Sequence, residues 1–148
     1  MQVLNEMKLQ IESRSVNEAY ARVAVSAFAA SLDPTVEELN DIKTAVSEAV
    51  TNCIVHAYKN SVGKIYITVK IRDNGSLLIS IRDRGCGIDD VKKAREPLFT
   101  TLGGDRAGLG FSVMESFCDR VRVRSVVGGG TTVTLEKRIF GRGAHLDA

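Results

Sequence analysis

Apolar and polar residues alternate from Lys8 to Ser13, with Leu9 and Ile11 on one side, and predict a first strand. Ser15 and Glu18 have the spacing of a capping box, serine at the N-cap and glutamate three residues on. The helix they open is expected to run to about Ser31, with Val16, Tyr20, Val23 and Ala27 as its apolar stripe. Asp33-Pro34-Thr35 starts a second helix, with Thr35 and Glu38 as another capping box. Its apolar face is Leu39, Ile42, Val46, Ala49, Val50 and Cys53, and it should end near His56 to Tyr58. Alternation returns from Lys64 to Arg72, where Ile65, Ile67, Val69 and Ile71 share a face. Asp73-Asn74-Gly75 supplies a tight turn, and Leu77 to Asp83 is the return strand. A short helix over Asp89 to Arg95 stops ahead of Pro97. A Gly-rich stretch from Leu98 to Gly110 leads into a helix over Leu109 to Phe117. Arg120 to Val127 and Thr131 to Phe140 read as two more strands around Gly128-Gly129-Gly130. The order β-α-α-β-β-α-α-β-β predicts a two-layer α/β sandwich, a mixed, mostly antiparallel sheet with helices over one face.

Composition narrows the class. The chain has 148 residues, 44% hydrophobic and 26% charged, the make-up of one ordinary globular domain rather than a disordered or fibrous one. Residues 1–140 read as that domain, and 141–148 as a polar tail. The longest apolar run, Ala27 to Ala30, is far short of a membrane span, and the first residues lack the basic and apolar regions of a secretory signal. A net charge of +2 argues against nucleic-acid binding by bulk attraction. Arg120, Arg122 and Arg124 would share one face of a strand and read as a solvated sheet edge. Cys53, Cys86 and Cys118 are too far apart for a zinc knuckle. Dispersed thiols in odd number predict a reducing cytoplasm, and two of the three sit among apolar neighbours as small core residues.

Four elements carry candidate chemistry. Glu48 and Asn52 lie four apart on the second helix and face the same side. The amide oxygen of Asn52 is a hard neutral ligand suited to Mg²⁺, and the Glu48 carboxylate can take a proton; the pair also reads as a solvated polar pair. Asp83-Arg84-Gly85-Cys86-Gly87 follows a strand. A partly buried Asp83 can accept a hydrogen bond from an exocyclic amine such as that of adenine, while the glycines let backbone approach a flat ligand; an ordinary strand-to-helix turn has the same residues. Arg106-Ala107-Gly108-Leu109-Gly110 opens a helix, where N–H groups favour phosphate. Gly128 to Thr132 reads as a hairpin turn on its own.

In order and spacing, Glu-x-x-x-Asn, Asp-x-Gly-x-Gly, Gly-x-Gly and Gly-x-Gly-Thr resemble the four boxes of the GHKL ATP-binding superfamily, over nearly the whole chain. The element order is similar to that superfamily's Bergerat fold. No histidine precedes Glu48 as a phosphoacceptor, and the length leaves no room for the second domain of gyrase, Hsp90 or MutL. The stretches Ile42 to Asn52, Glu96 to Thr101, Gly108 to Phe111 and Asp33-Pro34-Thr35 resemble the anti-sigma factor serine kinases, in particular their sporulation branch in endospore-forming bacteria.

That resemblance implies a homodimer that, with ATP bound, holds sigma factor F inactive, and that phosphorylates a serine of an anti-anti-sigma factor. The ADP-bound dimer would retain the unphosphorylated anti-anti-sigma factor. It implies Glu48 as general base and Asn52 as the ligand of an Mg²⁺ bridging the phosphates. It implies Asp83 at the adenine amine, with Gly85, Gly87 and Thr131 around the base. Thr100, Thr101, Arg106, Gly108 and Gly110 would form a lid over the phosphates. Residues 1–31 would contribute dimer and partner surface, with Arg22 meeting the partner and Glu18 beside it; Glu18 and Arg22 also read as an intrahelical ion pair. The lid is more glycine-rich than the family pattern and one residue short, with Ala107 at a position where serine can occur. His56 reads either as a second proton acceptor or as a packed helix-end residue. The alternatives are a stress-response anti-sigma B type kinase and a nucleotide-gated binding module without catalysis.

Overall fold

The computed structural model describes residues 2–96 and 110–142. Thr100, Thr101, Arg106 and Gly108 therefore lie outside the described residues. Strands β1 (Val3–Glu12), β2 (Lys64–Arg72), β3 (Ser76–Asp83), β4 (Arg120–Val126) and β5 (Gly130–Arg138) form one sheet in the order β1-β2-β3-β5-β4. All four pairings are antiparallel, so the parallel component allowed for by a mixed sheet is absent among the described residues. For two of the four the reason lies in the connections. β2 and β3 are joined by the Asn-Gly turn, where Gly75 has φ 82°, and β4 and β5 by the glycine turn, where Gly128 has φ 78°. Tight hairpins of this kind join only antiparallel neighbours.

Alternation decides which face is covered. Ile65, Ile67, Val69 and Ile71 of β2, Leu77, Ile79 and Ile81 of β3, and Val133 and Leu135 of β5 are all buried. The opposite face carries rows such as Thr68, Ser80, Thr134 and Arg122, paired across four strands, and is polar. Arg120, Arg122 and Arg124 are exposed on β4, an edge strand, as expected of a solvated edge.

Helices α1 (Ser15–Ala29) and α2 (Val36–Asn52) cover the apolar face with the short α3 (Val91–Ala94) and α4 (Phe111–Phe117). The capping box of α2 forms as read. Thr35 Oγ1 accepts from the Glu38 N–H at 3.1 Å, and Glu38 Oε1 accepts from the Thr35 N–H at 2.9 Å. Ile42, Val46, Ala49, Val50 and Cys53 are buried from the expected face, joined by Ala45.

Two expectations for α1 fail. Its N-cap is Arg14, without a side-chain cap, and Ser15 is already helical. Glu18 turns instead to Arg22 Nε, 2.7 Å away, because an i,i+4 ion pair competes for the same carboxylate. The expected stripe also faces outward: Val16, Tyr20 and Val23 are 61%, 64% and 56% exposed. Ala21, Val25 and Ala29 are the buried positions, with Ser26. Where α1 lies along α2, small side chains let the two backbones approach, and the bulky ones are left outside.

After Asn52 the chain winds wider, through one π turn over Cys53–Ala57, closed by the Tyr58 N–H donating to the Cys53 carbonyl at 3.1 Å. The helical run thus ends where the sequence placed it. Among the described residues no helix is long and apolar enough to cross a membrane.

Candidate functional site

The site forms where the end of α2, the β3–α3 loop, the start of α4 and β5 converge. Ala49, Asn52, Cys53, His56, Asp83, Gly87, Ile88, Phe111 and Thr131 line one cavity there. The structure thereby gathers Asn52, Asp83, Gly87 and Thr131, four of the residues singled out from sequence, although they span 79 positions of chain. Among the described residues its enclosed volume is about 30 Å³, room for a water or two.

Asp83 is the deepest charged group among the described residues, 5% exposed, because it is the last inward-facing residue of β3. Its carboxylate is held from three directions. Oδ1 accepts from the Gly85 N–H at 2.9 Å and the Thr131 N–H at 3.1 Å. Oδ2 shares the Cys53 thiol, at 3.5 Å, with the Ala49 carbonyl at the same distance. Two bonds on one oxygen fix the plane of the group, and Oδ2 keeps a second lone pair for another donor. Burial pushes the Cys53 thiol well above its ordinary value of 9.0, and the neighbouring carboxylate adds to the effect. Cys53 is therefore a neutral donor and not a nucleophile.

The loop beyond Asp83 is stitched to the π turn. The Cys86 N–H donates to the Ala57 carbonyl at 3.1 Å, and the Cys86 thiol to the His56 carbonyl at 3.3 Å. Tyr58 adds a third tie: its hydroxyl accepts from the Arg84 N–H at 2.7 Å and donates to the Lys64 carbonyl at 2.7 Å. Burial lifts the Tyr58 phenol above its ordinary 10.0, which keeps it protonated as that donor.

The glycines of the loop have a reason of their own. A Cβ at Gly85 would meet the Ala57 carbonyl, and one at Gly87 the Val126 carbonyl. Close approach of the chain to itself thus already requires glycine at both positions, before any ligand is considered.

Glu48 and Asn52 are half-buried, one turn apart on α2. Gly110, at the N-cap of α4, has φ 68°, and a Cβ there would strike the Glu48 carboxylate. The start of α4 is thereby seated against the acidic end of the pair. On α1, Glu18 and Arg22 stand as an ion pair away from the cavity.

For a divalent cation the donor set is sparse: among the described residues no group of three or more His, Cys, Asp or Glu side chains could hold a metal. One amide oxygen, from Asn52, fits Mg²⁺ only where phosphate oxygens supply most of the shell, which is how this ion is usually bound. The sequence reading did not single out Cys53, Tyr58, Ile88 or Phe111 for the site. Phe111 follows Gly110 directly and Cys53 follows Asn52, so adjacency to the boxes was the available signal.

A profile of the histidine kinase-like ATPase domain matches residues 11–137. An anti-sigma F factor of Caldanaerobacter subterraneus subsp. tengcongensis is 55% identical over 140 residues, covering 94% of this chain and 97% of the relative. Those of Geobacillus kaustophilus and Priestia megaterium are 52% and 50% identical, each covering 91% of this chain and 93% of the relative. Among solved structures, the RsbU and RsbW domains of a Mycobacterium tuberculosis protein superpose with a TM-score of 0.68 at 21% identity, over 91% of this chain and 32% of that one. The histidine kinase domain of an Erythrobacter litoralis blue-light activated kinase gives 0.57 at 19%, over 82% of this chain and 60% of that one. These two likenesses establish the fold, the GHKL-type two-layer α/β sandwich. The identity over most of its length and the profile together show that the chain belongs to the anti-sigma F factor family, built on the histidine kinase-like ATPase domain.

Proposed function

We propose that the chain is an ATP-dependent protein serine kinase that also sequesters sigma factor F. The observation that carries the reading is Glu48 one turn from Asn52, with Asn52 lining the same cavity as the buried carboxylate of Asp83. A phosphoryl transfer needs an oriented hydroxyl, a bound nucleotide and charge stabilisation, and little covalent chemistry from the protein. Asp83 Oδ2 offers an acceptor for the adenine amine, and the N–H groups of Gly85 and Thr131 hold that oxygen's partner in place. Asn52 would hold Mg²⁺ together with the phosphates; the ion, when bound, neutralises charge on the transferring group. Glu48 orients the acceptor serine and takes its proton as the serine oxygen bonds to the γ-phosphorus and the bond to the ADP oxygen breaks. Gly110 leaves space for that carboxylate, and Gly87 and Thr131 wall the base.

The relatives' name supplies the partner class: they are anti-sigma F factors. An anti-anti-sigma factor would be the protein substrate. The outward stripe of Val16, Tyr20 and Val23 on α1 and the open edge of β1, where Val3 and Leu4 are exposed, support residues 1–31 as dimer and partner surface. Arg22 and Glu18 belong to the same helix and would contact the partner. The test is transfer of label from ATP, with Mg²⁺, to the cognate anti-anti-sigma protein, with Glu48→Gln in parallel. Label on the partner, lost in the variant while ATP binding is kept, supports the kinase. ATP binding without transfer by the wild type would favour a nucleotide-gated clamp.

A further inference from the structure

A shallow groove of about 360 Å³ runs between α1 and α2. It is bordered by Glu18 and Arg22 on α1 and by Lys43, Thr44, Ser47 and Glu48 on α2. Thr44, Ser47 and Glu48 fall three and four apart, so one face of α2 forms the floor. The short hydroxyl side chains keep that floor low. Thr44 Oγ1 donates to the Asn40 carbonyl at 2.9 Å, which leaves its lone pairs for an N–H from outside. Arg22 is already neutralised by Glu18 at 2.7 Å. Lys43 is half-buried and forms no ion pair among the described residues. The groove is thus a trough with one unneutralised cation, ending at the carboxylate that faces Gly110.

We propose that this groove seats the segment of the protein substrate that carries the acceptor hydroxyl, and that Lys43 selects the segment by pairing with an acidic side chain on it. The assignment rests on the kinase reading, with Glu48 as base. It adds a docking register. Lys43 and Glu48 lie five positions apart on α2, a rise of about 7.5 Å. An extended chain advances about 3.3 Å per residue. Lys43 and Glu48 also differ by about 140° around the helix, which adds to the rise, so the acidic residue lies about two to four residues from the hydroxyl. Lys43 is then a specificity-determining residue that never touches the nucleotide.

The experiment is steady-state phosphorylation of the cognate anti-anti-sigma protein at saturating ATP and Mg²⁺, with Lys43→Met and Lys43→Glu. Loss of one half-buried charge pair should raise KM for the protein substrate about fivefold in Lys43→Met, and reversal should raise it more than tenfold in Lys43→Glu. The value of kcat at saturating protein substrate, the Kd for ATP and the melting temperature should stay at wild-type values. Exchanging the substrate's acidic residue for lysine should recover most of the loss in Lys43→Glu, an outcome a merely structural role would not give. Equal KM in wild type and both variants, or a fall in kcat at constant KM, overturns the assignment. If Lys43→Glu fails to fold, Lys43→Met decides alone. If the wild type transfers no phosphate, the kinase reading falls and the groove assignment with it; transfer that is indifferent to Lys43 removes the groove assignment only.

Discussion

Glu38 joins two ends of the fold through one carboxylate. Oε1 accepts from the N–H of Thr35 at 2.9 Å and of Gly141 at 3.1 Å, and Oε2 from the N–H of Phe140 at 2.8 Å. Burial alone would raise its carboxyl, but the hydrogen bonds from Thr35, Phe140 and Gly141 outweigh it and hold the group below its ordinary 4.5. Glu38→Ala removes half of the capping box, worth about 1 kcal/mol, and two charge-assisted bonds to a partly exposed segment. We expect a loss of about 2–3 kcal/mol, or roughly 5–10 °C in Tm for a domain of this size. Glu38→Gln keeps an acceptor oxygen and should lose about 1 kcal/mol. The pH dependence has a fixed sign. Because the folded pKa is depressed, the carboxylate's contribution is fully present above the unfolded value near 4.5 and is lost as pH falls through the folded value. Urea unfolding followed by circular dichroism at pH 7 and at steps down to pH 3 measures both effects, at constant m. A wild type and Glu38→Ala within 0.5 kcal/mol at pH 7, or a gap that does not shrink on acidification, would refute the reasoning (about 0.5 kcal/mol being the usual scatter of inert surface changes).

Other expectations concern the site and its supports. Gly110→Ala forces a left-handed φ of 68° on alanine and a Cβ onto the Glu48 carboxylate, so phosphate transfer should fall by about tenfold or more while ATP still binds. Asp83→Ala strips the acceptor from Gly85 and Thr131; nucleotide affinity by calorimetry should drop at least about tenfold, with about 2 kcal/mol of stability. Lys137→Met leaves Asp41 and the Phe117 carbonyl without the ammonium that bonds them at 3.2 and 2.9 Å, and chemical unfolding should show a loss of about 2 kcal/mol. A thiol reagent at pH 8 should label Cys86 first: burial pushes Cys118 up to about 11, and Cys53 is buried and raised as well, so fast labelling of all three would contradict the structure.

The parts of the fold that were legible in sequence are those fixed by local chemistry. Asn74-Gly75 sets a hairpin by its φ requirement, and Thr35 with Glu38 sets a helix start by two reciprocal bonds. The orientation of α1 was not local. Val16, Tyr20 and Val23 form as good an apolar stripe as Ala21, Val25 and Ala29, and only the neighbouring helix decides between bulk and closeness of approach. The same holds at the site. The spacing of Glu48 and Asn52 is a helical fact, but the third bond on Asp83 comes from Cys53, 30 positions away, and no periodicity announces it. The glycines at 85 and 87 suggest close approach to a ligand from sequence, whereas the nearest demand on them is the chain's own backbone.

The π turn after Asn52 has a mechanical consequence. Carbonyls at a helix end normally turn to solvent. Here those of His56 and Ala57 carry Cys86, so the helix bearing Glu48 and Asn52 and the loop bearing Asp83 share a welded seam. On the proposed function, the groups that would take the base and those that would take the phosphates are thereby tied to one another. Bending at this seam would have to break the two bonds that Cys86 makes. The amide of Cys86 should therefore exchange with solvent only when helix end and loop come apart.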